Sequence, residues 1–427
     1  MEFMFLQSFI NKLRQWKRQI FTAFYRSLYP LEYKQLCKDR ENIRGNGGLF
    51  VIPCDLWSLT GSRGDEAMLM VLQQRFPDMP YYIATALPEA DKVAEEHGWI
   101  PVRCWLERHL YREVYKVAKE IKPSYCVLLG ADVMDGYYSW RFSQAVFRLA
   151  DIMESHGVPT SIMGYSFNAS PHPKVIDVVK KIENQNLEYH LRDAVSLERF
   201  ERFTGKKAVL TADIAFLLKP DCDSPQYSMV QEWKQNRKLL AINLHPMLIK
   251  NATEEQVNSL IDVMYGVISK LLTMSDWKIL LLPHDNRKTI GDNVCLEKLY
   301  NRFGAETTDR LKYIPEVLDA AKVKGVVGLV DALITSRMHL GIGGLSQAVP
   351  TMGFTYQDKF QGLLQHMNLD DNFIMPALLA ENTEQICEKI LWLQKNHCEI
   401  KQQIESRLGV VKALAEKNLE CLNIQDK

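Results

Sequence analysis

From about Gly48 onward, short apolar runs alternate with longer amphipathic stretches, and this rhythm limits the folds open to the chain. Apolar runs without polar alternation belong to strands covered on both faces, and strands separated by helices pair in parallel. "GLFVIPC", "YYIAT", "YCVLLG", "TSIMG" and "AVLTAD" read as strands of a first sheet, with helical patterns such as "DEAMLMVLQQRF" between them. "KPDCDSPQYS" then concentrates proline and polar residues, as interdomain linkers do. "KLLAINL", "WKILLLP", "GVVGL", "DALITS" and "PTMGF" follow as strands of a second sheet. The predicted class is α/β: two Rossmann-like parallel-sheet domains facing a cleft, with helical extensions at both ends. The expected divisions are an amphipathic extension over 1–45, α/β domains over 46–222 and 223–382, and helices over 383–427 that pack back on the domains. Ligands of such folds sit where the carboxyl ends of the strands face each other.

Charge narrows the partners. Lys plus Arg equals Asp plus Glu, at 52 each, so no global basic field points to nucleic acid and any charged ligand must be held locally. The nine cysteines are scattered without a CxxC, which fits buried thiols in a reducing compartment and gives no metal site. The expected location is the cytoplasm. Near the N-terminus, Leu6, Phe9, Ile10, Leu13, Trp16, Ile20, Phe21, Phe24 and Leu28 share one helical face, with Lys12, Arg14, Lys17 and Arg18 making the segment basic. Two uses fit this pattern: docking on its own domain or a partner subunit, or peripheral contact of residues 1–31 with an anionic membrane surface.

"LITSRMHLGIGGLSQAVPTMGFTYQDK", from Leu333 to Lys359, places Arg337 and His339 between a strand end and a helix start. Free backbone N–H groups there favour an anion, and a guanidinium adds a permanently charged fork matched to phosphate or carboxylate. No Walker motif is present, "GIGGLS" lacks the third glycine of a dinucleotide fingerprint, and "DCD" at 221–223 sits in the linker. Gly61 and Gly64 in "LTGSRGDEAM" permit a tight turn, with Asp65 immediately before a helical run, where it reads as a helix cap or a site residue. Asp193 reads equally as a cap for "AVSLERFERF".

On these residues the chain resembles the polysaccharide pyruvyl transferases. The Arg-x-His block carries the likeness, supported in order by "SRGDEAMLMVL", "GYSF", "LRDAVSLERF", "TADIAFLL" and "LLPHD". The resemblance implies a fold similar to the GT-B glycosyltransferases and transfer of an enolpyruvyl unit from phosphoenolpyruvate to two hydroxyls of a sugar, with phosphate leaving. It further implies that His339 protonates the enol carbon and that Asp65 orients or deprotonates a sugar hydroxyl. Arg337 and Arg192 would hold the donor's anionic groups, with Ser62, Gly64, His284 and Lys359 completing the substrate site. A helix N-terminus disfavours imidazolium, and a bound dianion would reverse this. No cofactor beyond the donor is implied. The acceptor is a surface or exopolysaccharide saccharide, free or lipid-linked, and the protein a monomer or homo-oligomer. Two departures, a single Gly130 where relatives often show a glycine pair and Tyr165 where glutamine is common, point to altered acceptor recognition. The alternatives are a sugar-nucleotide-dependent glycosyltransferase and a catalytically silent glycan-binding protein on the same architecture.

Overall fold

The computed structural model describes residues 22–106, 108–287, 290–304, 309–354 and 359–422. Its first sheet contains β1 (Leu49–Ile52), β2 (Tyr81–Thr85), β3 (Ile100–Arg103), β4 (Tyr125–Leu129), β5 (Thr160–Tyr165), β6 (Glu188–Leu191) and β7 (Val209–Leu210). The second contains β8 (Leu239–Ile242), β9 (Lys278–Leu281), β10 (Leu311–Tyr313), β11 (Ala332–Thr335), β12 (Thr351–Phe354) and β13 (Ile374–Met375). The strand orders are β3-β2-β1-β4-β5-β6-β7 and β10-β9-β8-β11-β12-β13, and every pairing is parallel. Each order reverses direction once, between β1 and β4 and between β8 and β11. At such switch points the loops leaving adjacent strands diverge and open a crevice.

The helices around the first sheet are α1 (22–39), α2 (Arg63–Arg75), α3 (Pro88–Glu96), α4 (Leu110–Ile121), α5 (Trp140–Ser155), α6 (Pro173–Lys181) and α7 (Ala194–Thr204). Those around the second are α8 (Pro225–Lys234), α9 (Glu254–Met274), α10 (Asn293–Tyr300), α11 (Ala320–Val327), α12 (Met338–Leu345), α13 (Lys359–His366) and α14 (Thr383–Glu420). The core has three parts. One fills the outer face of the first sheet, around Phe50, Leu128, Phe147 and Tyr165, and a smaller one lies against the second sheet around Val230, Leu280 and Val326. The third runs continuously from Val51 and Met68 through Ile214 and Phe216 to Ile242, Ile268 and Ile390, so the two domains share apolar packing.

Helix α14 is a single helix of 38 residues that starts against α9 and returns to the first domain, where the Asn418 side chain donates to the Ala212 carbonyl at 2.8 Å. Helix α9 is long and apolar enough to cross a bilayer, but its Leu260, Ile261, Met264, Val267, Ile268 and Leu271 are buried in the core. Of the basic amphipathic N-terminal segment, residues 1–21 lie outside the described residues. Helix α1 docks on its own domain: Tyr29 packs edge-on to Tyr111, the Tyr33 hydroxyl donates to Asp151, and Leu36 is buried.

Among the elements that differ from the sequence expectation, three have a clear physical reason. "GVVGL" is not a strand; Val326 and Val327 end α11, whose first turn Asp319 caps through the Lys322 N–H at 2.9 Å. This helix is buried nearly all round among α2, α8 and α12, so it shows the unbroken apolar run of a buried strand. Strand β3, "IPVR", was not expected because it contains Pro101 and is largely exposed, both of which an edge position tolerates. Strand β10, "LKY", is likewise a short edge strand with a charged residue at its centre.

Candidate active site

The loops after β1, β4, β8 and β11 converge on one cleft of about 660 Å³ between the domains. Cys54, Asp55, Trp57, Ser58, Ser62 and Asp65 form its first-domain wall with Ala131, Asp132, Val133, Tyr138 and Arg192. Met247, His284, Arg287, Ile290, Ser336, Arg337 and His339 form the opposite wall, with Phe354 and Phe360 behind them. Short backbone contacts fix the spacing of the walls: the Arg63 N–H donates to the His284 carbonyl at 3.3 Å, and the Asn286 N–H to the Gly61 carbonyl at 3.3 Å.

Two helix N-termini meet here. Arg337 ends the strand-to-helix turn in extended conformation as the N-cap residue of α12, so His339 falls in that helix's first turn. Ser62 is the N-cap residue of α2, and Gly64 and Asp65 lie in its first turn. Asp65 is therefore inside the helix rather than capping it. A Cβ at position 64 would stand 2.1 Å from His339 Nδ1, so only glycine admits the imidazole. The other ring nitrogen, Nε2, is 3.4 Å from Asp213 Oδ2, within ion-pair range but without the alignment of a hydrogen bond.

Asp213 joins His339 to Arg192. The Arg192 Nη1 donates to Asp213 Oδ2 at 2.9 Å and its Nε to Ser166 Oγ at 2.7 Å, both within protein. Burial alone would raise the Asp213 carboxyl, but the adjacent His339, then Arg192 and the Ala215 N–H, hold it well below the usual range. Asp65 behaves oppositely. Its side chain keeps some surface open to the cleft yet is enclosed by protein, and this desolvation pushes its carboxyl up to about 7. His339 and Arg287 oppose that shift while Asp55 and Asp132 add to it.

On the second-domain wall the charges are mutually satisfied. Arg337 donates from Nε to Asp292 Oδ1 at 2.9 Å and from Nη2 to the Ile290 carbonyl at 3.1 Å, and its Nη1 lies 3.1 Å from Asp285 Oδ2. Asp285 also accepts from Arg287 Nε at 3.0 Å. Asp292 accepts further from Asn243 Nδ2 and from the His284 N–H, each at 2.7 Å. All three nitrogens of the Arg337 fork are thus engaged within the protein, Nη1 also lying 3.8 Å from Met247 Sδ, while the residue still lines the cleft. Burial, then the charges of His339, Arg337 and Arg63, press the His284 imidazole well below its ordinary value and keep it neutral.

The structure therefore brings together Ser62, Gly64, Asp65, Arg192, His284, Arg337 and His339. Lys359 opens α13, and its side chain lies outside the described residues. Asp193 caps α7, accepting from the Ser196 N–H at 2.7 Å. Tyr165 does not face the cleft: it is fully buried against Phe147 and Phe200, and Gly130 is packed on its Cβ. Its ring is thus part of the core of the first domain. The residue after Gly130, Ala131, does line the cleft, and it adopts φ 40°, the left-handed region that favours glycine. The sequence reading missed Asp55, Asp132, Asp213, Arg287 and Asp292; the loops leaving the switch-point strands were the signal for the first two.

A family model described as polysaccharide pyruvyl transferase matches residues 63–358. The chain is 27% identical over 170 residues to the uncharacterized protein 087L of frog virus 3 (isolate Goorha), a match covering 37% of this chain and only 26% of that protein. Among solved structures, the S. aureus MnaA–UDP complex superposes with a TM-score of 0.58 at 12% identity, covering 88% of this chain and 95% of that one. UDP-GlcNAc 2-epimerase from Neisseria meningitidis bound to UDP-GlcNAc gives 0.56 at 10% identity, with 88% and 99% covered. A glycosyltransferase from Rickettsia africae gives 0.54 at 10% identity, again with 88% and 99% covered. At such identities the likeness is one of fold, the two-domain GT-B type.

Proposed function

The chain belongs to the polysaccharide pyruvyl transferase family, and from that premise we propose that its cleft moves the enolpyruvyl unit of phosphoenolpyruvate onto two hydroxyls of a saccharide. The product is a pyruvate ketal and inorganic phosphate. The observation that carries the proposal is the meeting of two helix N-termini across one cleft, with His339 on one first turn and Asp65 on the other.

The donor bears a phosphate and a carboxylate. The N–H groups of both first turns and the positive charges of Arg337, Arg192 and Arg287 on the walls supply an anion site of matching extent. His339 delivers a proton to the terminal enol carbon, which becomes a methyl group, while the adjacent carbon takes on oxocarbenium character and forms a bond to the first sugar oxygen. Asp65, with a carboxyl near neutrality, accepts the proton of that hydroxyl. The carbon–oxygen bond to phosphate then breaks, phosphate leaves, and a second sugar hydroxyl closes the ketal. One hydroxyl hydrogen replaces the proton given to the methyl, and the other leaves with phosphate. Asp213 stabilises charge on the ring from behind. Five of the nine cysteines are buried, which suits the cytoplasm.

Purified protein incubated with phosphoenolpyruvate and a saccharide panel is expected to release phosphate in step with ketal formation. Nucleotide release from UDP-sugars, with none of phosphate from phosphoenolpyruvate, would replace this assignment with glycosyl transfer.

A further inference from the structure

The cleft continues beyond the reacting groups. Tyr138, Met247 and Ile290 are shared with a second chamber of about 540 Å³, whose lining adds Tyr137, Lys250 and Val257. Its volume lies within the roughly 300–1,000 Å³ of small-ligand sites. The two tyrosines come from the loop after β4, and the remaining walls from the second domain, so this chamber also lies between domains.

Tyr137 and Tyr138 are 39% and 44% exposed, with rings 5.0 Å apart at 88°. They are held in place rather than loosely displayed. The Tyr137 N–H donates to Asp135 Oδ1 at 2.9 Å, the Tyr138 hydroxyl donates to Asp132 Oδ2 at 3.2 Å, and Lys250 Nζ lies 4.4 Å from the Tyr137 ring centroid. The Asp132 contact ties the tyrosine pair directly to the carboxylate wall around Asp65. Fixed aromatic faces beside charged and amide groups match a pyranose, which offers an apolar C–H face and a rim of hydroxyls.

We propose that this chamber is an acceptor subsite that stacks the sugar unit next to the one being modified, so that the protein selects an oligosaccharide over a monosaccharide. A hydrocarbon chain would use the Ile290 and Val257 floor but not the Lys250, Glu254 and Lys298 rim. The subsite deepens the pyruvyl-transfer proposal and rests on it for the identity of the neighbouring sugar.

The test is binding without donor, by saturation-transfer NMR and calorimetry, of mono- to tetrasaccharides of glucose, galactose and N-acetylglucosamine. In at least one series the tetrasaccharide is expected to bind about tenfold or more tightly than its monosaccharide, a difference of roughly 1.4 kcal/mol. Tyr137→Ala and Lys250→Ala should each remove most of that gain, and two surface variants guard against one misfolding. Equal affinity at every length, no binding at any length, or a gain untouched by both variants would overturn the subsite. An octyl monosaccharide that binds as tightly as the tetrasaccharide, and loses this in Tyr137→Ala, would overturn it in favour of a lipid. Phosphate release from phosphoenolpyruvate, measured in parallel, separates the two proposals. Length-dependent binding without release leaves the subsite and removes pyruvyl transfer, and release without a length preference does the reverse.

Discussion

The two walls of the cleft handle charge in opposite ways. On the second-domain wall Arg337 and Arg287 are matched by Asp285 and Asp292, and Asp292 accepts from Arg337, Asn243 and the His284 backbone together. On the first-domain wall Asp55, Asp65 and Asp132 crowd one another, and Asp65 is pushed up to about 7. The matched wall supplies rigidity, because moving any one group leaves others without partners. The crowded wall supplies a group ready to exchange a proton near neutral pH. His339 belongs to the matched wall by sequence but projects across to Gly64, where it meets the crowded one.

The largest effect should follow from removing the group that crosses between them. His339→Gln is expected to lower turnover by about 10² to 10⁴ while phosphoenolpyruvate affinity stays within about threefold, since the cationic side chains and helix ends remain. Steady-state kinetics with calorimetric donor titration checks the separation. Equal loss of binding and turnover would make His339 an anion ligand instead.

Next, one chemical change should act with opposite signs on the two walls. Burial raises the Asp292 carboxyl as well, against the charge of Arg337. The loss of roughly 3 kcal/mol expected in Asp292→Asn comes from leaving the Arg337 guanidinium and the backbone donor facing an amide, and it outweighs the relief of a buried charge. Asp65→Asn removes a carboxyl that folding raises from 3.8 to about 7. A raised acid binds more protons folded than unfolded, so it costs stability increasingly as pH climbs from about 4 to about 7, and by a constant amount above that. Asp65→Asn should therefore stabilise by about 1–3 kcal/mol at pH 8, allowing for its partly open surface, and by less at pH 5. Urea unfolding at both pH values checks each variant, and a shared sign would erase the contrast. Turnover in Asp65→Asn should fall even as stability rises, and the wild-type rate should climb with pH through about 7 as the base ionises.

The smallest effect concerns Ala131 beside the crowded carboxylates. Ala131→Gly relieves a φ of 40° and should stabilise by about 1 kcal/mol or less, part of the gain being returned by the freer unfolded chain. A lowered thermal midpoint would show that the Ala131 methyl contributes more by packing than its backbone costs.

Most of this cleft was legible because its principal groups stand at strand ends, where an apolar run stops abruptly at polar residues. Arg337 and His339 follow β11, His284 and Asp285 follow β9, and Arg192 follows β6. What was not legible is pairing. Asp213 and Asp292 gain their meaning from Arg192, His339 and Arg337, which are distant in sequence, and no spacing rule announces such contacts. Helix α11 was misread for a related reason: burial on nearly all sides removes the periodicity by which a helix is recognised. Tyr165 was assigned to acceptor recognition from its place in a motif, while its ring had turned into the core behind β5.

The proton assigned by the proposal to His339 offers the most direct test of the central claim. Transfer run in D2O, with phosphoenolpyruvate and an accepted saccharide, is predicted to place one deuterium in the methyl group of the ketal, read as CH2D by mass spectrometry and NMR. Phosphate should appear in equal amount, and His339→Gln should lose both signals together. A ketal whose methyl carries no solvent deuterium, or phosphate released without any ketal, would contradict proton-initiated enolpyruvyl transfer in this cleft.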